Sequence, residues 1–448
     1  MEVVLEQMLA AREQRALRQL SLNKKYALPM ICFSMNIPGP VKDSPLIRRA
    51  FLSGCAMLDH RLPAKTVVFR EIYPAVTGWE AIYVLDMDAM QIKKICCAIE
   101  DRLPLGRLFD MDVLGSDMVK LDRESVGGKS RDCIVCGAAG RGCASRRTHS
   151  VSELQKAVRD ILTGHFARVD AQQIGIWAAQ SLMDEVCTTP KPGLVDRRNN
   201  GSHRDMDLFT FTASATALLP YFIRCAQIGM ETADGKAQNT FRLLRSAGLH
   251  AEQDMFAATG GVNTHKGAVF TMGLLCGAAG RLWKPEEGWD ANALLSEVSA
   301  MTGQTLMEDF LTENKDTVGQ RLYAENGISG IRGEAAKGFP SLSGLGLPKY
   351  LQLKEQGLPS ERAGAITLLH LIAHVEDTNM ISRGGLAGAA EGKSKVISLL
   401  KENELPSDRQ IEALDDWFIR QNLSPGGCAD LLAAIYFLSR LSENAKEY

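Results

Sequence analysis

The spacing of apolar residues changes once along this chain, near residue 170, and that change limits the fold more than any other feature. Before it lie three short runs, ALPMICFSMNI, KTVVFREIY and WEAIYVLDM, rich in β-branched or aromatic residues and bounded by Pro and Gly. Such runs form strands, because branched side chains pack well on a pleated surface and turn residues end them. After it the spacing is helical almost throughout, as in AQQIGIWAAQSLMDEV, FTASATALLPYFIRCAQIGM, AITLLHLIAHVEDTNMIS and CADLLAAIYFLSRLSENA. The expected architecture is two-domain, with an N-terminal α/β or α+β module and a C-terminal all-α helical module. SVSELQKAVRDILTGH reads as the helix that closes the first module. The next helix is expected from about Ala171, across a short junction at Phe166–Asp170.

Composition narrows the class. The 51 basic and 53 acidic residues leave a net charge of −2, with a basic excess before residue 170 and an acidic one after it. A dedicated nucleic-acid binder carries a basic excess, so no nucleic-acid partner is expected. With 45% hydrophobic residues the chain has ample apolar surface to bury, which excludes disorder as its main state. No uncharged apolar run of ~18 residues stands out, so no membrane span is expected. The N-terminus lacks the apolar core of a signal peptide, and the 11 cysteines, an odd number, fit reduced thiols. A cytoplasmic location follows as an expectation.

The first module carries two chemical motifs. In GRLFDMDVL, Asp110 and Asp112 are two apart, and on a strand they face the same side. Paired carboxylates repel unless a cation lies between them, so they are a natural Mg²⁺ pair for phosphoryl or nucleotidyl transfer. Gly106 lets a phosphate approach the backbone and Arg107 can pair with it. In CIVCGAAGRGCASRRTH, Cys133, Cys136, Cys143 and His149 have the ligand types of a three-thiolate, one-imidazole zinc site. The alternative is a basic, glycine-rich phosphate loop using Arg131, Arg141, Arg146 and Arg147, its cysteines incidental. Arg12, Arg15 and Arg18 form a helical ridge, either solvated or docking an acidic partner.

The second module carries four. TTPKPGLVDRRNNGSHRDMDLFTF is a shaped loop between apolar helices, broken by Pro190, Pro192 and Gly193. Lys191 and Arg197 are phosphate-binding candidates; Asp196, Asp205 and Asp207 are candidates for Mg²⁺ or base; His203 adds an imidazole. Read blandly, this is a surface loop with helix caps. ATGGVNTHKGAVF offers Gly260, Gly261, Asn263, His265 and Lys266 at a helix start, which favours phosphate, though the spacing is not that of a P-loop. GISGIRGEAAKGFP holds Arg332 and Glu334, and HVEDTNMISRGG holds Asp377 and Arg383.

Two families are resembled, in order along the chain. AAREQRALRQ, GRLFDMDVL and RDCIVCGAAGRGCASRRTHSVSEL resemble the holo-acyl-carrier-protein synthase of citrate lyase, over about residues 1–168. TPKPGLVDRRNNGSHRDMD, TGGVNTHKGAVF, IRGEAAKGFP and EDTNMISRGG resemble triphosphoribosyl-dephospho-CoA synthase, over about 172–448. The resemblance implies a bifunctional enzyme with a nucleotidyltransferase-like first module. The second module would join ATP to 3′-dephospho-CoA, the 2′-hydroxyl attacking C1 of the ATP ribose and expelling adenine. The first would move phosphoribosyl-dephospho-CoA to a serine of the citrate lyase acyl carrier subunit, releasing pyrophosphate. In that setting Lys191, Lys266 and Arg332 become candidate triphosphate clamps, and Asp196, Asp205, Asp207 and Asp377 candidate Mg²⁺ ligands. One carboxylate, or His203 or His265, would take the hydroxyl proton. The rival reading is a Mg-dependent nucleotide hydrolase or kinase fused to a zinc-binding docking module.

Overall fold

The computed structural model describes residues 2–138, 140–311 and 318–444. The chain divides into two compact units, Met1–Phe166 and Ala167–Glu447.

In the first unit all three expected strands form. Helix α1 (Leu5–Tyr26) precedes β1 (Met30–Met35), and α2 (Pro45–Arg61) precedes β2 (Val67–Tyr73) and β3 (Glu80–Leu85). Helix α3 (Ala89–Arg102) leads into β4 (Phe109–Leu114), and β5 (Lys120–Leu121) follows. The sheet order is β2-β3-β1-β4-β5, and every pairing is antiparallel. With no parallel crossover among the described strands, the unit is α+β. Strand alternation sorts the side chains. Phe33 and Phe109 point to a face where Phe33 stacks on Phe51 of α2 at 4.9 Å. Gly54 of α2 is required there, since a Cβ would meet the Phe33 ring at 2.4 Å. On the other face Met30, Cys32, Ile82 and Val84 pack with Leu22 and Tyr26 of α1. Asp112 lies opposite Cys32 and Asp110 opposite Ser34, so both carboxylates share this face.

The short α4 (Gly140–Arg146) and the 37-residue α5 (Val151–Cys187) follow. The expected break near Phe166–Asp170 does not form. Residues 165–171 contain neither Pro nor Gly, so nothing there stops the helix, and α5 continues to Cys187. The regular elements described in the second unit are all helices: α6 (Leu208–Glu231), α7 (Ala237–Ala258), α8 (Lys266–Arg281), α9 (Ala291–Leu311), α10 (Val318–Asn326), α11 (Gly330–Ala336) and α12 (Leu347–Glu355). Then come α13 (Ser360–His374), α14 (Thr378–Glu402), α15 (Asp408–Arg420) and α16 (Gly426–Asn444). AITLLHLIAHVEDTNMIS, expected as one helix, is two, because Asp377 caps a new start at Thr378. Against expectation, α6 is long and apolar enough to match a membrane span by length and composition. Its Leu218, Phe222, Cys225 and Ala226 are buried in the core of this unit.

Helix α8 sits at the centre, with nearly every residue from Ala268 to Gly280 buried. It meets α6 backbone to backbone. A Cβ on Gly229 would lie 2.1 Å from the Gly277 carbonyl oxygen, and one on Gly280 would lie 2.0 Å from that of Ala226. Backbone cannot yield as a flexible side chain does. Gly280→Ala is therefore expected to destabilise the second unit by about 1–3 kcal/mol, the usual scale of overpacking. Urea denaturation of the full chain measures this; an unchanged midpoint would count against the close helix contact.

Candidate active sites

The first unit holds a cavity of about 810 Å³ beside β4. Asp110, Asp112, Arg107, Lys93, Lys120, Arg123, Arg131 and Arg147 line it, together with Cys133, Cys143 and His149. The floor is anchored by Glu100, almost wholly buried on α3. Its carboxylate accepts from the Met111 amide at 3.0 Å and pairs with Arg131, which also donates to the Phe109 carbonyl at 2.7 Å. Lys120 donates to Asp112 at 2.7 Å. Burial first, and then the Asp112 charge, push the Asp110 carboxyl above its ordinary value. Asp110 and Asp112 thus meet as expected. Arg107 donates to the Asp132 carbonyl. Gly106 does not face the cavity. A Cβ there would strike the Glu100 carbonyl oxygen at 2.4 Å, so packing explains this glycine. Arg15 and Arg18 bind Glu80 at 2.6 and 3.3 Å, so these two members of the ridge act within the unit.

The Cys/His motif folds back on itself. One ligand atom each from Cys133, Cys136, Cys143 and His149 lies within 4.8 Å of the other three. The side chain of Arg141 lies outside the described residues.

The second unit holds a cavity of about 680 Å³. The starts of three long helices border it, Lys266 and Gly267 of α8, Thr378 and Asn379 of α14, and Gly426 and Gly427 of α16, and the short α11 also begins there at Gly330. Helix N-termini carry partial positive charge and N–H donors, the combination that suits phosphate. His203, Asn263, His265, Lys266, Glu334, Asp377 and Arg383, all singled out by sequence, line this cavity. Asp377 caps α14 through Asn379 and Met380 and also accepts from the Cys428 amide of α16 at 2.8 Å, so one carboxylate ties two helix starts together. Glu334 is held by the Ser341 amide and hydroxyl. Arg383 donates to His203 Nδ1 at 3.1 Å, which leaves Nε2–H to donate to Ser424 at 2.9 Å. Burial and the Arg383 charge hold His203 down to about 4. His265 stands beside Ser214 at 2.7 Å and edge-on to Phe211. Burial, aided by the Lys191 charge, lowers it to about 3, so both imidazoles are neutral.

Other sequence candidates are placed elsewhere. Lys191 is buried in an ion pair with Glu185 and donates to that residue's carbonyl at 2.6 Å. Asp196 is consumed by the amides of Lys191, Arg198 and Asn199. Arg197 pairs with Glu361 at a separate cavity, and Arg332 lines a third. The bland reading expected a helix cap at Asp205; the cap of α6 is instead Asp207, through Thr210, and Asp205 is exposed outside the cavity lining. Gly193 is fixed by the Leu423 carbonyl, 2.2 Å from where its Cβ would stand, and by its left-handed φ of +68°. Gly260 and Gly261 are also left-handed, and the Gly261 amide bonds the Phe256 carbonyl, so they terminate α7.

Sequence reasoning missed Glu185 and Asp430, which also line the cavity. Burial, then repulsion from Glu185 and Asp377, raises the Asp430 carboxyl well above its ordinary value. It presses on the start of α8, where a Cβ on Gly267 would lie 2.0 Å from Asp430 Oδ2. Both acids sit inside apolar helical runs, where a lone carboxylate reads as surface.

Comparison with known proteins fits this division. Residues 171–447 match the family model of ATP:dephospho-CoA triphosphoribosyl transferase, and residues 3–165 that of apo-citrate lyase phosphoribosyl-dephospho-CoA transferase. "Protein CitXG" of Haemophilus influenzae is 36% identical, covering 98% of this chain and 96% of that protein. "Protein CitXG" of Leuconostoc mesenteroides subsp. cremoris is 33% identical over 98% and 97%. The chain belongs to the CitXG family. It is a fusion of the two transferases, in the order the motifs suggested. The 2-(5''-triphosphoribosyl)-3'-dephosphocoenzyme-A synthase of Klebsiella pneumoniae, 39% identical, covers 62% of this chain and 93% of its own length. The CitXG fusion is thus an enzyme with two transferase activities, triphosphoribosyl-dephospho-CoA synthesis and apo-citrate lyase modification.

The buried neutral His265 has a consequence for stability. An unfolded His titrates near ~6.5. Its folded value lies below that, so the unfolded state binds more protons in between. The stability it confers is intact above that pH and is lost as pH falls from about 6.5 toward about 3. His265→Gln removes this loss. The variant should gain on the wild type as pH drops from about 7.5 to about 5 in urea denaturation. A stability difference independent of pH would contradict neutral burial.

Proposed function

We propose that the cavity of the second unit binds the triphosphate of ATP beside dephospho-CoA and expels adenine there. The observation that carries this is the meeting of three helix starts with the acids Glu185, Asp377 and Asp430. The helix starts, Lys266 and Arg383 offer positive potential to phosphate. Asp377 has its oxygens engaged by three amides and serves as the pin of the site. Asp430 is the group suited to receive the 2′-hydroxyl proton, since a raised carboxyl works nearer neutral pH than an ordinary one. Neutral His203 and His265 add hydrogen-bonding edges without opposing the oxocarbenium-like charge that develops at C1. Mg²⁺ would arrive with the triphosphate and offset its charge. Asp205 and Asp207 do not line the cavity and are not placed to hold it.

In the first unit the basic cavity around Asp110 and Asp112 suits the polyphosphate of the intermediate. Its chemistry is nucleotidyltransferase-like: a serine hydroxyl of the acyl carrier subunit attacks phosphorus, and pyrophosphate leaves. Arg107, Arg131 and Arg147 would face the phosphates. Asp110, with its raised carboxyl, would take the serine proton. The Asp110–Asp112 pair also fits Mg²⁺, because each carboxylate raises the need for a cation beside the other. Eleven free cysteines support action in the reducing cytoplasm.

The test separates the two sites. Full chain, ATP, dephospho-CoA and apo carrier should yield adenine and a carrier heavier by one phosphoribosyl-dephospho-CoA group. Asp430→Asn should lower adenine release by about 10²–10⁴-fold while leaving transfer of ready-made intermediate intact. Asp110→Asn should do the reverse. ADP or AMP in place of adenine, or an unmodified carrier, would overturn the reading.

A further inference from the structure

The segment after β5 poses a physical problem. From residue 116 to residue 157, no residue whose burial is described is buried. A stretch with no core of its own is held by something other than hydrophobic burial. Yet its turns are tightly drawn. The Cys133 amide bonds the Ala138 carbonyl at 2.6 Å and the Gly137 amide bonds the Cys133 carbonyl at 3.0 Å. Gly137, directly after Cys136, is left-handed at φ +70°. The Val135 amide points at Cys133 Sγ at 3.5 Å. Helix α4 brings Cys143 within 3.5 Å of Cys136 Sγ. Arg147, a non-glycine residue at φ +50°, then turns the chain so that His149 Nε2 comes 3.3 Å from Cys136 Sγ.

We propose that Cys133, Cys136, Cys143 and His149 hold one structural zinc ion, and that this ion fixes the wall of the transferase cavity. Zn–S bonds of about 2.3 Å and Zn–N bonds of about 2.0 Å place tetrahedral ligand atoms roughly 3.5–3.8 Å apart. The four ligand atoms, all within 4.8 Å of each other, fit that frame. Three thiolates and one imidazole from protein close the coordination shell, which marks a structural rather than a catalytic ion. A Cys136–Cys143 disulfide would leave Cys133 and His149 converging on nothing. The two residues just before its first ligand latch the knuckle to β4, to Glu100 of α3 and to the turn that leads into β4. Arg131 donates to the Phe109 carbonyl and pairs with Glu100, and Arg107 donates to the Asp132 carbonyl. Cys133, Cys143, His149 and Arg147 line the same cavity as Asp110 and Asp112. Zinc binding therefore supplies the ordering energy that the absent core does not. The role at the cavity rests on the proposed transferase site; the metal site itself does not.

The full chain, purified under reducing conditions without added metal, is analysed for zinc by mass spectrometry. About one zinc per chain is expected. Cys143→Ser and His149→Ala should lose it, and His149→Cys, which restores four ligands, should retain it. Cobalt exchange should give the visible bands of tetrahedral thiolate-ligated Co²⁺, a readout independent of activity. A zinc-free chain, full zinc content in Cys143→Ser, or a native Cys136–Cys143 disulfide would overturn the metal site. Stripping zinc with a chelator, then removing the chelator and restoring Mg²⁺, should abolish carrier labelling from ready-made intermediate and leave adenine release unchanged. Undiminished labelling by a stripped chain would overturn the role at the cavity while the metal content stands.

Discussion

A carboxylate taken out of water must be met by donors, and both sites of this protein are built on that constraint. Glu100 fixes β4 through the Met111 amide and holds Arg131 against it. Asp377 joins the starts of α14 and α16. Asp415 accepts from the Gly193 amide, Arg198 and Asn199, and so docks the long polar loop onto α15. Glu185 does the same through Lys191. Remove one such acid and several elements lose their common anchor.

The satisfied acids leave a few that are not. Asp110 and Asp430 keep raised carboxyls because burial and a like charge act on them without a full set of donors. The division is thus electrostatic: paired carboxylates position, and underpaired ones are the groups to which the proposed chemistry is assigned. The close glycine contact of α6 with α8 serves the same end. It holds the C-terminal part of α8, the helix whose start carries His265, Lys266 and Gly267, close against α6.

The strand pair Asp110 and Asp112 was legible because a period of two needs no tertiary information. The zinc-type cluster was legible by residue type, though its spacing is irregular. The polar loop misled for a physical reason. Lys191, Asp196 and Arg197 have the chemistry of ligands for phosphate or metal, but they satisfy one another, the loop backbone or Glu361. Glycine was equally ambiguous. Gly106, Gly193 and Gly260 read as room for phosphate, whereas close backbone approach or a helix end explains each.

The sequence by itself determined the two-part organisation, the three main strands, the helical second half and the families. Periodicity and long motifs are local, and they survive without coordinates. Only the tertiary structure decided which polar residues face a cavity. Asp430 lies far along the chain from Glu185, and both lie in helical runs, so nothing local distinguishes them from surface acids. Three-dimensional packing brings them to the helix starts, and a buried charge acquires its chemistry from neighbours that are remote in sequence.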